Sequence, residues 1–198
     1  MQVGVLALQG DFREHVEVLR RLGVEAREVR LPEDLEGIDG LIIPGGESTT
    51  IARLLERFGL REPLVSRISG GMPVMGTCAG AIVLAKHAKT LDRPGLGVMD
   101  IDVRRNAFGR QIDSFEADIP FKPLGKDKVH AVFIRAPLIE AVHAPAQAIA
   151  TLEDGTIVAA QQGKMVALAF HPELTGDGRV HEYFLGLCAQ VPAPAGRS

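Results

Sequence analysis

The sequence has few cysteines, no tryptophan and no surplus of positive charge. Two cysteines, Cys78 and Cys188, are too few for a disulfide framework, so we expect a cytoplasmic protein with reduced thiols. Lys and Arg number 22 against 25 Asp and Glu, which leaves no basic excess for the phosphates of nucleic acids. No apolar run approaches the roughly 20 residues of a membrane span, and no potential ligands have the spacing of a metal site. Nucleic-acid, membrane and metal binding are therefore not expected.

The order of apolar segments predicts the fold class. Hydrophobic residues make up 46% of the 198 residues, enough for a core. Strand and helix patterns alternate up to about residue 90, which predicts an α/β fold with a doubly wound, largely parallel sheet flanked by helices. Strand patterns then follow one another to residue 170 and predict added antiparallel strands. We expect one domain over 1–190 and a disordered tail over 191–198.

The individual elements follow from apolar periodicity and from the Gly and Pro residues that interrupt it. The predicted strands are 3–8, 25–29, 41–43, 73–75, 97–103, 115–119, 129–133, 148–152, 157–161 and 165–170. The predicted helices are 12–22, 49–58, 62–68, 79–88 and 179–190, with Ser48 as the N-cap of the second.

Cys78 stands in the sequence Gly76-Thr77-Cys78-Ala79-Gly80, where a predicted strand gives way to a helix. Small residues on both sides of a central nucleophile are typical of a nucleophile elbow, whose turn is too tight for larger side chains. The helix dipole would favour the thiolate, and the N–H of Ala79 would face a developing oxyanion. The motif predicts a nucleophilic cysteine, whereas Cys188, among apolar residues of the last helix, is interpreted as a core residue.

His171 is the candidate base for this thiol, because a thiol nucleophile needs a group that accepts and returns its proton. It follows the predicted strand 165–170, and Pro172 favours an extended backbone for it. Glu173 would then lie on the same side as His171 and fix its tautomer. The other five histidines are interpreted as structural or surface residues.

A glycine loop, Pro44-Gly45-Gly46-Glu47-Ser48, follows the predicted strand 41–43. It lacks the lysine of a P-loop and the G-x-G-x-x-G pattern of a dinucleotide-binding loop. Its two glycines would let backbone N–H groups approach a ligand, and the helix after Ser48 offers an N-terminus suited to a carboxylate. The residues alone leave open whether this loop is a second oxyanion donor or an ordinary strand–helix turn.

These motifs together resemble the class I glutamine amidotransferases, and more specifically the glutaminase subunits of pyridoxal 5′-phosphate synthase. GTCAG and the His-Pro-Glu sequence indicate the broad class, and the other segments are more specific. The resemblance covers nearly the whole chain through GVLALQGDFREH at 4–15, LIIPGGESTT at 41–50, GTCAG at 76–80, RNAFGRQIDSFEA at 105–117, VFIRAP at 132–137 and FHPELT at 170–175.

The resemblance implies an enzyme that hydrolyses L-glutamine to L-glutamate and ammonia. Cys78 would form a glutamyl thioester, His171 would protonate the departing ammonia and Glu173 would hold His171. Backbone N–H groups of Ala79, Gly45 and Gly46 would receive the oxyanion. The residues implied to bind glutamine are Gly46, Glu47, Ser48, Arg105, Ile134 and Arg135.

The resemblance also implies a partner, a separate synthase subunit with a (β/α)8 barrel. Twelve copies of each subunit would assemble, and ammonia would pass through a channel to the synthase during vitamin B6 biosynthesis. Gln9 and Gly10 are the residues we associate with docking and activation. No cofactor is expected, because pyridoxal phosphate would be the product of the complex.

Three alternatives remain open at this point. The chain could be a glutaminase that serves another synthase, such as one of histidine or anthranilate biosynthesis. It could be a cysteine hydrolase or peptidase on a similar sheet, although such an enzyme would not need arginines for an α-carboxylate. It could also be an inactive scaffold, although such a protein would be expected to have lost Cys78, His171 or Glu173.

Overall fold

A computed structural model of the chain describes residues 1–88, 91, 93–105 and 114–190. The helices within these residues are α1 (Phe12–Arg21), α2 (Ser48–Arg57), α3 (Arg61–Ser69), α4 (Ala79–Leu84) and α5 (Arg179–Ala189). The strands are β1 (Gln2–Leu6), β2 (Glu25–Val29), β3 (Gly40–Ile43), β4 (Val74–Thr77), β5 (Ala85–Ala88), β6 (Met99–Arg104), β7 (Ser114–Pro120), β8 (Lys128–Ile134), β9 (Leu138–Val142), β10 (Gln147–Thr151), β11 (Ile157–Gln162) and β12 (Met165–Leu168). Short 3₁₀ helices cover Pro32–Leu35, Lys122–Leu124 and Pro172–Leu174.

One large sheet organises the molecule, with strand order β2-β1-β3-β4-β12-β11-β9-β6-β5 and with β10 beside β11. The strands from β2 to β12 in this order are mutually parallel, whereas β11 is antiparallel to β12, β9 and β10. β7 and β8 form a separate antiparallel pair. The predicted fold class, a doubly wound, largely parallel α/β sheet with added antiparallel strands, is confirmed.

Both faces of the sheet are buried, which explains the continuous apolar runs of its central strands. Alternate residues of a strand point to opposite faces. Leu41 and Ile43 of β3 accordingly pack in a cluster with residues of α2, α3 and α4. Ile42 between them packs in a second cluster with residues of α1, α5 and β8.

The carboxyl ends of β1, β3, β4 and β12 meet at one edge of this sheet. Their registers align Val5 with Ile42, Ile43 with Gly76, and Thr77 with Leu168. The residues that follow these strand ends are therefore neighbours in space, as expected for the ligand-binding edge of an open α/β sheet. They include Gln9 and Gly10, Gly45 and Gly46, Cys78, and His171.

One predicted helix was too long, and one strand was not predicted. The helix predicted over 79–88 ends at Leu84, and Ala85–Ala88 instead forms β5, parallel to β6. Backbone pairing with β6 outweighs the local helical preference of this alanine-rich segment. Leu138–Val142 was not predicted as a strand, yet it pairs with β6 and also contacts β11. Its sequence, Leu-Ile-Glu-Ala-Val, does not alternate apolar and polar residues and so carries no clear strand pattern.

Some predictions fall outside the described residues. These include the disordered tail over 191–198 and residues 106–113 of the motif at 105–117. None of the helices in the described part of the chain has the length and apolar character needed to cross a membrane.

The packing of α5 against the sheet gives a first prediction. Phe184 is fully buried, whereas Phe58 at the end of α2 is 39% exposed. Phe184→Ala should lower the free energy of unfolding by about 3–5 kcal/mol, because it removes a buried ring and leaves a cavity. The matched Phe58→Ala change should cost less than about 1 kcal/mol. Urea unfolding of both variants tests this, and equal losses would contradict the assignment of Phe184 to the core.

Candidate active site

Cys78 lies in a tight, strained turn between β4 and α4. Its backbone has φ 48° and ψ −104°, a left-handed conformation that a residue with a side chain rarely adopts. A Cβ on Gly76 would lie 2.6 Å from the carbonyl group of Gly80, and a Cβ on Gly80 would lie 2.1 Å from the carbonyl oxygen of Ile43. Both flanking positions therefore require glycine, as a nucleophile elbow does.

His171 and Glu173 form the next part of the site. His171 Nδ1 donates a hydrogen bond of 2.6 Å to Glu173 Oε1, and both side chains are buried. The sequence predicted that the two residues meet in an extended segment, and this prediction was wrong. Pro172 begins a 3₁₀ turn that brings Glu173 beneath the imidazole, because proline readily occupies the first position of a helical turn.

The protonation of His171 is set by its neighbours. Burial alone lowers the pKa of the imidazole, but hydrogen bonds to Cys78 and Glu173 raise it, and the pKa of His171 reaches about 10. Burial raises the pKa of the Glu173 carboxyl, and the hydrogen bond to His171 lowers it in part. These contacts enable His171 to accept a proton and to hold it between a sulfur and a carboxylate.

The loops after β1 and β3 are joined to each other beside His171. Asp11 N donates to the carbonyl oxygen of Gly45 over 3.1 Å, and Glu47 N donates to Gln9 Oε1 over 2.8 Å. A Cβ on Gly45 would lie 2.4 Å from His171 Cε1. Gly10 and Gly46 both have positive φ and pack against the opposite loop. This close packing fixes the Gly45–Gly46 backbone next to the imidazole.

Glu47 and Arg105 form a charged pair at the start of α2. Glu47, and not Ser48 as predicted, caps this helix, since its carboxylate accepts from Thr49 N and Thr50 N. Burial raises the pKa of Glu47, but the hydrogen bonds from Thr50 and Thr49 and the charge of Arg105, 3.0 Å away, lower it to about 2. The buried hydroxyl of Ser48 has no hydrogen-bond partner within the described residues.

The other implied substrate-binding residues lie at the end of β8. The sulfur of Cys78 is 3.8 Å from the carbonyl oxygen of Ile134, whose side chain is exposed. Arg135 is also exposed, and its backbone is left-handed with φ 45°. Cys78, His171, Glu173 and the glycine loop are therefore gathered at one place, with Ile134 at its rim.

Sequence reasoning missed three buried polar residues behind Glu173. His15, interpreted as a structural or surface residue, lies with Nε2 3.4 Å from Glu173 Oε2 and 3.1 Å from Thr77 Oγ1. Its Nδ1 is 3.0 Å from His181 Nε2. The signal was present, because His15 shares the apolar stripe of Leu19 and Leu22 at helical spacing, and a histidine there must be buried.

Among the described residues, Asp11, His171 and Glu173 form a group that could hold a cation. Their ligand atoms lie within 4.8 Å of one another, with Asp11 Oδ2 3.7 Å from His171 Nδ1. That ring nitrogen already donates to Glu173, so the arrangement is explained as a hydrogen-bonded acid–base pair.

Comparison with known proteins assigns the chain to a family. The profile described as the SNO glutamine amidotransferase family matches residues 5–190. The chain belongs to this family. Members of the family are glutamine amidotransferases, so the resemblance expected from the motifs is confirmed and the chain is an enzyme subunit.

Individual relatives agree with the family assignment. The pyridoxal 5′-phosphate synthase subunit PdxT of Herpetosiphon aurantiacus is 58% identical over 190 residues, which cover 94% of this chain and 100% of that protein. The PdxT subunit of Moorella thermoacetica is 56% identical over 185 residues, covering 93% and 98%. A crystal structure of a glutamine amidotransferase, 50% identical, covers 94% of this chain and 98% of its own with a TM-score of 0.90. PurLQS from Thermotoga maritima, 16% identical over 93% of this chain and 97% of its own, shares the fold with a TM-score of 0.71.

The buried histidines give a prediction for stability. Burial lowers the pKa of His15 and lowers that of His181 from 6.5 to about 4, with a further contribution from Arg21 at His181. Between these pH values the unfolded chain binds protons that the folded chain does not, so stability falls as the pH falls. His181→Leu should reduce the slope of unfolding free energy against pH by about 1.4 kcal/mol per unit.

Urea unfolding at a series of pH values between 4 and 6.5 measures this slope for both proteins. An unchanged slope in His181→Leu would show that His181 already binds its proton in the folded state.

Proposed function

We propose that the chain is the glutaminase subunit of a pyridoxal 5′-phosphate synthase and hydrolyses L-glutamine to L-glutamate and ammonia. Relatives named pyridoxal 5′-phosphate synthase subunit PdxT are 54–58% identical over nearly the full chain. The observation that carries the proposal is the strained turn at Cys78, beside His171, whose Nδ1 is held by buried Glu173. Such an arrangement is suited to nucleophilic acyl transfer.

In the first half of the reaction Cys78 attacks the side-chain amide of glutamine. The thiol proton moves to His171, the sulfur forms a bond to the amide carbon, and the carbonyl oxygen becomes an oxyanion. The raised pKa of His171 keeps that proton on the imidazole until the leaving nitrogen takes it. The carbon–nitrogen bond then breaks, ammonia departs and a glutamyl thioester remains on Cys78.

In the second half water hydrolyses the thioester. His171 accepts a proton from the attacking water, the carbon–sulfur bond breaks, and the sulfur recovers its proton as glutamate leaves. Glu173 holds the ring through Nδ1 in both halves, so that Nε2 remains available for transfer.

The oxyanion is proposed to be stabilised by backbone N–H groups. Ala79 begins α4, where N–H groups have no partner within the helix. The second donor would come from Gly45–Gly46, whose position beside the imidazole leaves no room for a Cβ on Gly45. Donors fixed before the reaction stabilise the developing charge at little reorganisation cost.

Glutamine is proposed to be recognised by its α-amino and α-carboxylate groups. Arg105 and Arg135 provide guanidinium groups for the carboxylate, which they bind well because of their planar donors. Glu47, with its pKa near 2, is an anion that suits the ammonium group. Gly46, the Ser48 hydroxyl and the Ile134 carbonyl complete the proposed pocket.

Ammonia released into water would be protonated and lost as a nucleophile. We therefore propose delivery through a channel to a (β/α)8-barrel synthase subunit, in an assembly of twelve copies of each. We propose that Gln9 and Gly10, which pack against the Gly45–Gly46 backbone, transmit docking to the oxyanion donors. We propose a cytoplasmic subunit that needs no cofactor of its own.

Ammonia release from L-glutamine tests this function. It should be low for the chain alone, rise when the synthase subunit is added, and disappear in Cys78→Ala, since the nucleophile is lost. Cys188→Ala is the matched control, because Cys188 is a buried thiol on α5 whose pKa burial raises to about 12. This control should retain the activity.

Each other outcome favours one of the alternatives. Equal release with and without the partner would keep the glutaminase but refute activation by docking. No release from a folded, assembled complex would indicate a scaffold or a different hydrolase. Full activity of Cys78→Ala would overturn the proposed nucleophile.

A further inference from the structure

Glu173 uses only one of its two oxygens to hold His171. The other, Oε2, is fully buried and has no hydrogen-bond partner within the described residues. A buried carboxylate oxygen without a hydrogen-bond donor lowers the stability of the folded protein. A donor close to this oxygen would therefore stabilise it. A ring nitrogen, His15 Nε2, lies 3.4 Å from Oε2, and both side chains are fully buried.

The surroundings of His15 determine which of its nitrogens carries the proton. A bare Nε2 would turn its lone pair toward the Glu173 carboxylate, and the two would repel each other. Nε2 therefore carries the hydrogen. It forms a hydrogen bond with Thr77 Oγ1 over 3.1 Å, and Glu173 Oε2 lies 3.4 Å from the same nitrogen. Nδ1 is then an acceptor, and His181 Nε2, 3.0 Å away, must donate to it.

We propose that His15 is a positioning residue for glutamine hydrolysis, whose Nε2–H holds Glu173 Oε2 so that Oε1 stays aligned with His171. His181, on α5, sets the tautomer of His15 from behind. The inference rests on the proposed function, since it assigns a part in that reaction to residues that no substrate atom would touch. It extends the series of polar contacts from Cys78 through His171 and Glu173 to two further histidines.

Neutral rings are required for this arrangement. Burial and the neighbouring His181 and His171 lower the pKa of His15 well below 6.5, which keeps it uncharged. The charged and titratable groups around the series come from several elements: Asp11 and Cys78 beside His171, Glu173 from the 3₁₀ turn, His181 from α5, and Arg21 near His181. A neutral His15 stabilises the Glu173 carboxylate without adding a second positive charge beside His171.

Two substitutions of His15 separate positioning from packing. His15→Phe removes the donor and should lower kcat by about 10- to 100-fold with little change in KM, the size expected for losing a hydrogen bond to a charged group. His15→Gln restores an amide N–H donor and should recover most of the rate. His87→Phe, at an exposed position on β5, is the matched control and should leave the activity unchanged.

The pH profile provides a readout that packing alone would not change. Without the donor the Glu173 carboxylate is less stable, so the acidic limb of kcat should move to higher pH by about one unit in His15→Phe. In His15→Gln it should stay with the wild type. Wild-type rates and profile in His15→Phe, or equal losses in both variants with an unshifted limb, would overturn the inference.

A measurement that does not depend on turnover distinguishes failure of this inference from failure of the proposed function. Long-range ¹H–¹⁵N spectra of the histidine rings near neutral pH should show His15 and His181 as neutral Nε2–H tautomers. A charged ring, or an Nδ1–H tautomer of His15, would overturn the assignment even in an active enzyme. If the wild type itself releases no ammonia with its partner, the proposed function fails, and these spectra still decide the hydrogen-bond arrangement.

Discussion

Parallel pairing between β4 and β12 is the interaction on which the site depends. It aligns Thr77 with Leu168, and Cys78 N continues the ladder by donating to the Leu168 carbonyl over 2.8 Å. The chain then leaves each strand at the same edge, which brings Cys78 and His171 together from distant parts of the sequence. β8 secures the second of these positions, because His171 N donates to the Val132 carbonyl over 2.8 Å. Strand pairing thus sets the geometry before any side chain contributes.

Close backbone contacts make this geometry rigid. The turn at Cys78 is held in a left-handed conformation by neighbours that leave no space for side chains at Gly76 and Gly80. The loops after β1 and β3 interlock in the same way at Gly10 and Gly45. Strain of this kind persists only where the surrounding structure fixes it, and it commonly occurs at functional sites. In this account the rigid backbone presents the thiol and the oxyanion donors, and buried polar side chains align the base.

The sequence was sufficient to predict the alternation of strands and helices, the turn at Cys78 and the proximity of His171 to Glu173, because these depend on short motifs. It was not sufficient for β5 and β9, whose pairing partners lie elsewhere in the chain. It also failed for His15 and His181, which meet across two helices and have no shared motif. The capping role of Glu47 was assigned to Ser48 because serine is a preferred N-cap residue and glutamate is not. Contacts between distant segments are what local patterns leave undetermined.

The most direct test of the central claim is covalent labelling of the assembled enzyme by a glutamine analogue that carries an electrophilic ketone in place of the amide. Peptide mass spectrometry would locate the adduct while ammonia release is followed in the same sample. The account predicts one adduct on Cys78, none on Cys188, loss of activity in proportion to labelling, and protection by L-glutamine. Labelling of Cys188, or complete modification of Cys78 with activity retained, would contradict it.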